Sequence, residues 1–377
     1  MRANKVMGII FSNMHDSMLG ELTERRTTGS VPFGGRYRLI DFVLSAMVNA
    51  DIQDIGIITK SNYQSLMDHV GAGRAWDLAR KVGGLVIIPP FASQTSGIYR
   101  GRLEALQGAI SFIRHNNAKY VLLADCDTVA NIDLRDMISE HIRSGAQITM
   151  MCRRADVQPD TARDTTILTC DEETMDVTDI MVRPDVKGTQ TIYMNGLLIE
   201  KTLLERLVNE GKGHDHYSLV RHAIQPALGK LNIKAYLFEG YAQRVSNMRS
   251  YFAASMELLD PKVRATLFPK DRPVYTKVRD QVPVKYGLSA RVGNSLIADG
   301  CIINGDVQNC IIFRGAKIGK GAVLKNCIIM QDTYIGDNAH LEYVVTDKDV
   351  LIKDSRVLIG YETYPTYISK GSAIGHG

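Results

Sequence analysis

Short apolar runs alternate with amphipathic segments through the first half of this chain. Five runs rich in β-branched residues are predicted strands: Val6–Phe11, Ile55–Thr59, Gly84–Pro89, Tyr120–Ala124 and Ile148–Cys152. Between the third and the fourth run, apolar residues recur at the 3.6-residue spacing of one helix face, at Leu103, Leu106, Ile110 and Ile113. This alternation predicts an α/β, Rossmann-like doubly wound domain, whose mostly parallel sheet is covered by helices on both faces.

A sheet of this kind usually binds its ligands outside the carboxyl ends of the strands. The loops in which a functional site is expected therefore follow Phe11, Pro90 and Ala124. The strands themselves are apolar throughout, so the polar chemistry of the domain is sought in these loops.

The sequence changes in character after Leu259. A polar stretch follows, which is interrupted by prolines at positions Pro261, Pro269, Pro273 and Pro283. The same stretch also carries apolar residues. We interpret residues 260–288 as a connector that packs on its neighbours, because a free linker would lack such apolar side chains. Residues 1–259 and 289–377 are then the two predicted domains.

Apolar residues recur every six positions beyond the connector. One series is Val323, Ile329, Ile335 and Leu341, and a second series, in another register, is Ile312, Ile318 and Leu324. Small and turn-forming residues lie between them. A six-residue period predicts a parallel β-helix, in which each hexapeptide forms one flat face. An ordinary antiparallel β-domain is the alternative.

Composition narrows the class of protein. The chain has 377 residues, of which 45% are apolar and 23% charged, with a net charge of +4. These values are typical of a soluble globular protein of two or three domains. The apolar runs are shorter than a membrane span or a secretory signal, and the absence of a block of Lys and Arg argues against a nucleic-acid binder. Six cysteines without a CxxC pair are expected to be reduced, in a cytoplasmic protein.

Two stretches of the sequence resemble a known family. Residues 30–42 read SVPFGGRYRLIDF and are similar to the AVPFGGKYRIIDF stretch of ADP-glucose pyrophosphorylase, also called glucose-1-phosphate adenylyltransferase. Residues 71–78 read GAGRAWDL and resemble that family's GxGxxWDL loop. The similarity extends from about Val6 to Val350. It implies a nucleotidyltransferase domain over residues 1–259, followed by a left-handed parallel β-helix of hexapeptide repeats over residues 289–377.

The resemblance also implies a reaction. The family joins glucose 1-phosphate to ATP and forms ADP-glucose and pyrophosphate, with magnesium as cofactor. Catalysis of this kind depends on positioning and on neutralisation of phosphate charge. It requires a glycine-rich loop close to the phosphates, an arginine and a lysine that hold them, and carboxylates that bind the metal.

The family's phosphate loop, GGxGxRLxxLT, is altered in this chain. The resemblance places Asn13, Met14 and Asp16 where the family has glycines, and Met18 where it has the arginine. The family's catalytic lysine falls at Thr28. A carboxylate repels phosphate, and the loss of a phosphate-holding cation weakens stabilisation of the transition state. We therefore expect no intact catalytic set.

The metal-binding carboxylates are half retained. Asp127 matches the aspartate of the family's SGDHIY turn, whereas the second metal aspartate, in the WxDVGT segment, falls at Arg244. Because a cation replaces a ligand, neither a bound metal nor another cofactor is expected. Asp127 is interpreted either as a cap of the turn after a strand or as a vestigial magnesium ligand.

Remnants of the ligand pocket are predicted at the start of a helix. Tyr99 and Gly101 remain from the family's pattern, and Glu104 lies in the helix start that the family writes GT-small-(N/D)-A. Arg102 in the same helix start either narrows the sugar pocket or binds a phosphate. The cluster His214, Asp215 and His216 is interpreted as a solvated turn rather than a metal site.

The GxGxxW loop supplies three further remnants of the pocket, Gly71, Gly73 and Trp76. Trp76, which is the one tryptophan of the chain, is interpreted as a packing anchor rather than a stacking platform. Arg25, Arg26 and Arg38 match basic positions of the family's effector pocket, where sugar phosphates or nucleotides regulate the enzyme; a solvated basic face is the alternative.

We interpret the chain as the degenerate accessory or regulatory subunit of bacterial glycogen synthesis, with little or no activity alone. Its expected partner is a catalytic ADP-glucose pyrophosphorylase subunit in a hetero-oligomer such as a tetramer, although a homo-oligomer stays open for the isolated chain. Two alternatives also stay open. One is an active sugar-phosphate nucleotidyltransferase with a rearranged site, and the other is a scaffold subunit of a translation-factor exchange complex.

Overall fold

A computed structural model describes residues 6–14, 16–81, 83–90, 99–158, 162 and 164–375. The strands of its first part are β1 (Val6–Phe11), β2 (Pro32–Phe33), β3 (Tyr37–Arg38), β4 (Asp54–Ile58), β5 (Gly84–Ile88), β6 (Tyr120–Asp125), β7 (Thr128–Ala130), β8 (Ile148–Val157), β9 (Thr166–Cys170), β10 (Val177–Val182), β11 (Gly188–Glu200), β12 (Ile233–Leu237) and β13 (Ala242–Arg244). The helices are α1 (Asp16–Leu19), α2 (Leu39–Asn49), α3 (Gln64–Val70), α4 (Arg102–His115), α5 (Leu134–Ser144), α6 (Lys201–Gly213), α7 (Met248–Glu257) and α8 (Pro261–Leu267).

The central sheet is mostly parallel on one side and mixed on the other. Strands β5, β4, β1 and β6 follow one another in parallel, and β11 then pairs antiparallel with β6. Beyond β11, strand β8 is antiparallel to it, and β12 is parallel to β8. All five predicted strands are present. The predicted run Ile148–Cys152 begins β8, which is separated from the parallel strands by the long strand β11.

Helices cover both faces of the sheet, as the apolar strands predicted. Ile9 and Ile10 are neighbours on β1 and are both fully buried, but they belong to opposite apolar clusters. Helices α4 and α6 pack against the cluster that contains Ile9, whereas α2 and α5 pack against the other. In α4, Leu103, Leu106 and Ile113 are buried and Ile110 is half-buried, which confirms the predicted helix face.

The second part of the chain is a left-handed parallel β-helix. It has three sheets of short strands: β14 (Lys285–Tyr286), β17 (Ile302–Ile303), β20 (Lys317–Ile318), β23 (Tyr334–Ile335), β26 (Leu351–Ile352) and β29 (Ala373–Ile374) in the first; β15 (Arg291–Gly293), β18 (Asp306–Gln308), β21 (Val323–Lys325), β24 (His340–Glu342) and β27 (Val357–Ile359) in the second; and β16 (Leu296–Ile297), β19 (Ile311–Ile312), β22 (Ile328–Ile329), β25 (Val344–Thr346) and β28 (Thr366–Ile368) in the third. All strand pairs within these sheets are parallel, which excludes the antiparallel alternative.

One residue of the predicted repeat, Val323, does not point into the β-helix. Leu324 is fully buried inside the β-helix, whereas its neighbour Val323 is only half-buried and points outward. The two sequence series are therefore one path, in which Leu324 is followed by Ile329 after five residues rather than six. A single short corner shifts the register, and this shift looks like a second series in the sequence.

The third sheet of the β-helix packs on the α/β domain. Its outward residues Ile311 and Ile328 are buried in one apolar cluster with Phe42 and Tyr251. The hydroxyl of Tyr251 also donates a hydrogen bond to the carbonyl oxygen of Pro32, at 2.8 Å. The two parts thus share an apolar core, and burial of this surface stabilises their contact.

The segment between the two parts packs on the first part, as predicted. The side-chain amide of Asn131 donates to the carbonyl oxygens of Leu267 and Arg272, and Ser45 exchanges hydrogen bonds with the backbone of Tyr275. These bonds fix the path of the chain as it enters the β-helix. Among the residues described above, no helix has both the length and the apolar composition that crossing a bilayer requires.

Replacing Ile328 by alanine is expected to lower the free energy of unfolding by about 2–5 kcal/mol, because the truncation leaves a cavity in the shared core. Urea unfolding followed by the fluorescence of Trp76 measures the change. The control is Leu351→Ala, since Leu351 is 38% exposed on a sheet that faces solvent. Equal losses for the two variants would contradict the packing described.

Candidate functional site

The candidate site lies at the carboxyl edge of the sheet. Strands β1 and β6 are parallel neighbours, and Phe11 pairs with Asp125 at their ends. The loop after β1 and the turn after β6 therefore meet at one place, and α4 begins beside them. The loop after Pro90, which was the third predicted location, lies outside the described residues.

The described side chains of the loop after β1 are buried or half-buried. Asn13 is buried, and the side chain of Met14 packs against the apolar core. Asp16 and Met18 are half-buried in the short helix α1. Side chains thus occupy the positions at which close-approach glycines are expected.

The carboxylate of Asp16 joins this loop to Thr28 through two hydrogen bonds. Asp16 accepts hydrogen bonds from the backbone N–H of Thr28 at 2.8 Å and from its hydroxyl at 2.7 Å. Burial raises the pKa of the Asp16 carboxyl, and the hydrogen bonds from Thr28 oppose this effect. Since Thr28 stands where the resemblance places the catalytic lysine, an internal carboxylate takes up a donor that would otherwise face a phosphate.

The end of β6 carries two carboxylates, and each holds an arginine. Arg102, the first residue of α4, donates from Nε to Asp125 at 2.9 Å, and its Nη2 also contacts that carboxylate. The guanidinium lies 6.0 Å from the centre of the Phe11 ring. Arg102 is therefore held by Asp125 at the end of the sheet, and its two predicted roles stay predictions.

The second ion pair joins Arg244 to Asp127. Nε of Arg244 donates to Asp127 at 2.8 Å, and its Nη1 donates to the carbonyl oxygen of Asp164 at 2.5 Å. Antiparallel pairing of β13 with β7 places Arg244 opposite Thr128, which fixes this contact. Asp127 is 1% exposed and also accepts from the hydroxyl of Thr128 at 3.2 Å, so this ion pair is largely removed from water.

The donor set does not fit magnesium. This ion requires carboxylate and water oxygens in octahedral geometry, but both carboxylates at the end of β6 already pair with guanidinium groups. In the part of the chain that the structure describes, no group of three or more His, Cys, Asp and Glu side chains is placed to hold a metal ion.

A cavity of about 670 Å³ lies at the opposite, amino edge of the sheet, away from this chemistry. The cavity beside Arg244 measures about 530 Å³ and is lined by three arginines, Arg153, Arg244 and Arg249. Asp156 and Asp164 also line it, and Arg244 is already paired with Asp127, so the charges around this cavity are nearly balanced.

The other predicted pocket residues surround the start of α4. Gly101 is required there, because a Cβ atom would lie 2.4 Å from the carbonyl oxygen of Tyr217. Tyr99 lies against Gly108 of α4. Glu104 binds the backbone and guanidinium of Arg100, which also pairs with the exposed Asp215.

The His-Asp-His cluster forms an exposed turn, as predicted. The rings of His214 and His216 stack with centroids 5.5 Å apart, and Nδ1 of His214 is bonded to the carbonyl oxygen of Glu210. This turn is joined to α4 through Asp215 and Arg100. It is a structural contact rather than a cation site.

The GxGxxW loop is a packed turn. Gly73 has φ of +78°, and a Cβ there would lie 2.8 Å from Leu78, so glycine is required. Gly71 also has a positive φ. Trp76 is 1% exposed and meets the ring of His69 edge to face at 5.8 Å, which confirms the predicted packing role.

The three predicted effector residues have different surroundings. Arg25 is exposed. Arg26 is buried and donates from Nη2 to both carboxylate oxygens of Asp347, at 2.7 Å each. Arg38 is buried and donates to the carbonyl oxygen of Ser30 and to Ser65. The buried pair excludes a purely solvated basic face.

Sequence reasoning missed several charged residues around these positions. Asp125 was signalled by the acidic pair that follows the apolar strand in LLADCD. Arg153 and Arg249 lie on strand and helix surfaces without a motif. Asp347 and Lys348 come 321 residues or more after Arg26, and nothing local in the sequence connects them.

Comparisons with known proteins identify the two parts of the chain. The family model described as nucleotidyl transferase matches residues 8–260, and the model described as GlmU-like, C-terminal hexapeptide matches residues 282–365. Glycogen biosynthesis protein GlgD of Geobacillus stearothermophilus is 38% identical over 322 residues, which are 85% of this chain and 83% of the relative. GlgD of Bacillus subtilis is 34% identical over the same shares of the two chains.

Enzymes are also among the relatives. Glucose-1-phosphate adenylyltransferase of Pseudothermotoga lettingae is 33% identical over 324 residues, which are 85% of this chain and 76% of the relative. That of Thermotoga maritima is 32% identical over 323 residues, with the same coverage. The chain therefore belongs to the nucleotidyl transferase family, in the group formed by glucose-1-phosphate adenylyltransferase and glycogen biosynthesis protein GlgD.

Proposed function

We propose that this chain is a regulatory subunit of a glucose-1-phosphate adenylyltransferase, with little or no activity of its own. Its catalytic partner would convert ATP and glucose 1-phosphate to ADP-glucose and pyrophosphate in glycogen biosynthesis, in the cytoplasm. The observation that carries the proposal is that internal ion pairs and hydrogen bonds occupy the groups that would hold the nucleotide and its metal.

Three contacts support this proposal. Asp16 takes up the backbone and hydroxyl donors of Thr28, Arg102 neutralises Asp125, and Arg244 neutralises Asp127. Breaking one buried ion pair costs about 3–5 kcal/mol, because a charge is left without a partner in a poorly solvated place. A magnesium–ATP complex would have to break two such pairs before it gained its own contacts.

The retained scaffold supports a role in an assembly. We take residues 1–259 and 289–377 as the two functional domains and residues 260–288 as their connector. The relatives named GlgD are glycogen biosynthesis proteins, and their similarity covers both domains. A subunit that keeps the whole scaffold of the enzyme can occupy a position in its oligomer and bias its conformation.

A cluster of cations supports binding of an anionic effector. The charge of Arg26 lies close enough to lower the pKa of both Arg38 and Lys348. Burial, together with the charges of Arg38 and Arg26, lowers the pKa of Lys348 to about 7, and Asp347 opposes this effect. Such a shortage of negative charge favours an anion, and we propose a sugar phosphate or nucleotide as the effector.

Mixing experiments test the proposed role. The chain alone, given ATP, glucose 1-phosphate and magnesium, is expected to release pyrophosphate at less than about 1% of the rate of a catalytic adenylyltransferase chain, since loss of several electrostatic groups costs at least 10²-fold. Added to that catalytic chain, it should shift the apparent affinity for substrate or effector by about 5-fold or more. An equimolar unrelated protein is the control.

The alternatives give different results in the same experiment. Turnover by the chain alone that is comparable to the catalytic chain would contradict the proposal and support a rearranged active site. Co-purification with a GTPase instead of an adenylyltransferase would support the translation-factor scaffold.

Replacing Arg244 by aspartate is expected to create a divalent cation site, because Asp127 loses its internal cation and gains a second carboxylate. The melting temperature of Arg244→Asp should be lower without metal and should rise with added Mn²⁺, since a ligand that binds the native state stabilises it. The wild type should not respond. Arg249→Asp, in the same cavity, is the control, and an Arg244→Asp variant that ignores Mn²⁺ would oppose this account.

Anion binding at the cation cluster should weaken as pH rises through about 7. Lys348 is charged in the folded protein below that pH and neutral above it, because its pKa is lowered from 10.5. Sulfate keeps its charge over this range, so its affinity reports on the protein and should fall roughly tenfold, or about 1.4 kcal/mol, between pH 6 and pH 9. Calorimetric titration at several pH values measures it.

The Lys348→Met variant should bind sulfate weakly and without this pH dependence. The exposed Lys320 provides the matched control, and Lys320→Met should behave as the wild type. An unchanged pH profile in Lys348→Met would show that another group titrates.

A further inference from the structure

One buried carboxylate, that of Asp347, lies within the cation cluster formed by Arg26, Arg38 and Lys348. Asp347 follows β25 and is 3% exposed. Its oxygens accept from Nη2 of Arg26, from the hydroxyl of Tyr367 at 2.7 Å and from the backbone N–H of Lys348 at 2.7 Å. One carboxylate of the β-helix thus holds an arginine of the α/β domain.

Positive charge exceeds negative charge around Asp347. Arg38 and Lys348 lie near Arg26, and Arg279 adds positive charge close to Arg38, whereas Lys370 is paired with Asp349 at 3.9 Å. Asp41 and Asp68 offset Arg38 from the other side, but Asp41 is already bonded to His69 at 2.6 Å. Nη1 of Arg26 is buried and has no hydrogen-bond partner among the described residues.

A bound anion and Asp347 would compete. An anion close to Lys348 and Arg38 would lie near the Asp347 carboxylate, and like charges in a poorly solvated place repel strongly. The guanidinium of Arg26 can serve either negative group, because Asp347 engages only its Nη2 and Nη1 has no partner among the described residues. An arriving anion would therefore gain most by taking Arg26.

We propose that Asp347 is an internal counter-ion of the effector cluster, and that an anionic effector binds by displacing Asp347 from Arg26. This inference rests on the proposed regulatory function, and it adds how the effector would act. Displacement removes the buried ion pair between the segment that follows α1 and the corner that follows β25 of the β-helix. Effector binding is thereby coupled to the contact between the two domains.

The inference is tested by Asp347→Asn in the full chain, with inorganic phosphate as the probe at pH 6.5. The amide keeps the shape of the carboxylate but not its charge, so phosphate should bind roughly tenfold more tightly than to the wild type. Calorimetric titration gives both affinities. Asp349→Asn, at an exposed position two residues away, should change the affinity by less than about twofold.

A second variant, Tyr367→Phe, tests the inference if Asp347→Asn folds poorly. Tyr367→Phe leaves the charge of Asp347 in place but removes one of the groups that hold it, so phosphate should again bind more tightly, by about two- to fivefold. Phosphate should also speed amide hydrogen exchange at Lys348 in the wild type, because the N–H of Lys348 loses its acceptor.

Several results would overturn the inference. Phosphate that binds Asp347→Asn and Tyr367→Phe no more tightly than the wild type would show that Asp347 does not compete. Slower exchange at Lys348 would show that the anion joins the cluster without displacing Asp347. Absence of phosphate binding in all variants would remove the effector site itself, whereas the mixing experiment would still decide whether the chain regulates a catalytic partner.

Discussion

Two carboxylates at the buried end of β6 require cations, and the candidate site is arranged around that requirement. Asp125 and Asp127 are 7% and 1% exposed, so water does little to stabilise their charges. The cations come from Arg102 on α4 and Arg244 on β13, two elements whose positions are fixed by helix packing and strand pairing. In this structure the neutralising charges therefore come from side chains of the fold itself.

The same principle applies elsewhere in the molecule. Asp16 satisfies the donors of Thr28, and Asp347 satisfies part of Arg26. In each case a side chain of suitable charge stands where the family resemblance implies a bound ion or phosphate. The cavity beside Arg244 is lined by three arginines and two carboxylates, and one of these arginines, Arg244, already pairs with Asp127.

The sequence predicted the elements of the fold better than their partners. The spacing of apolar residues alone predicted the five strands, the buried face of α4 and the β-helix. Burial of one face of an element requires apolar residues at regular intervals, and these intervals can be read from the sequence. It could not place β11 between β6 and β8, since strand order depends on distant pairing. Val323 was placed in the series of Ile329 and Ile335, because the sequence alone does not show where a corner is one residue shorter.

The candidate site was predictable to a smaller extent. The resemblance indicated that Arg244 and Asp127 lie near one another in function, but their ion pair follows from strand pairing. Arg102 was left with two possible roles, and its direction toward Asp125 depends on the rotamer that the packed helix allows. Asp347 and Lys348 belong to another domain, so their meeting with Arg26 follows only from the shared apolar core.

That meeting has a consequence for the history of such proteins. Arg26 and Asp347 are 321 residues apart in the chain, yet neither charge is solvated without the other. Recombination could join this α/β half to the β-helix of a distant relative. Arg26 would then be buried without a counter-ion, unless that β-helix carried an acidic residue in the position of Asp347. Inheritance of the two halves as a single unit is therefore favoured by electrostatics as well as by shape.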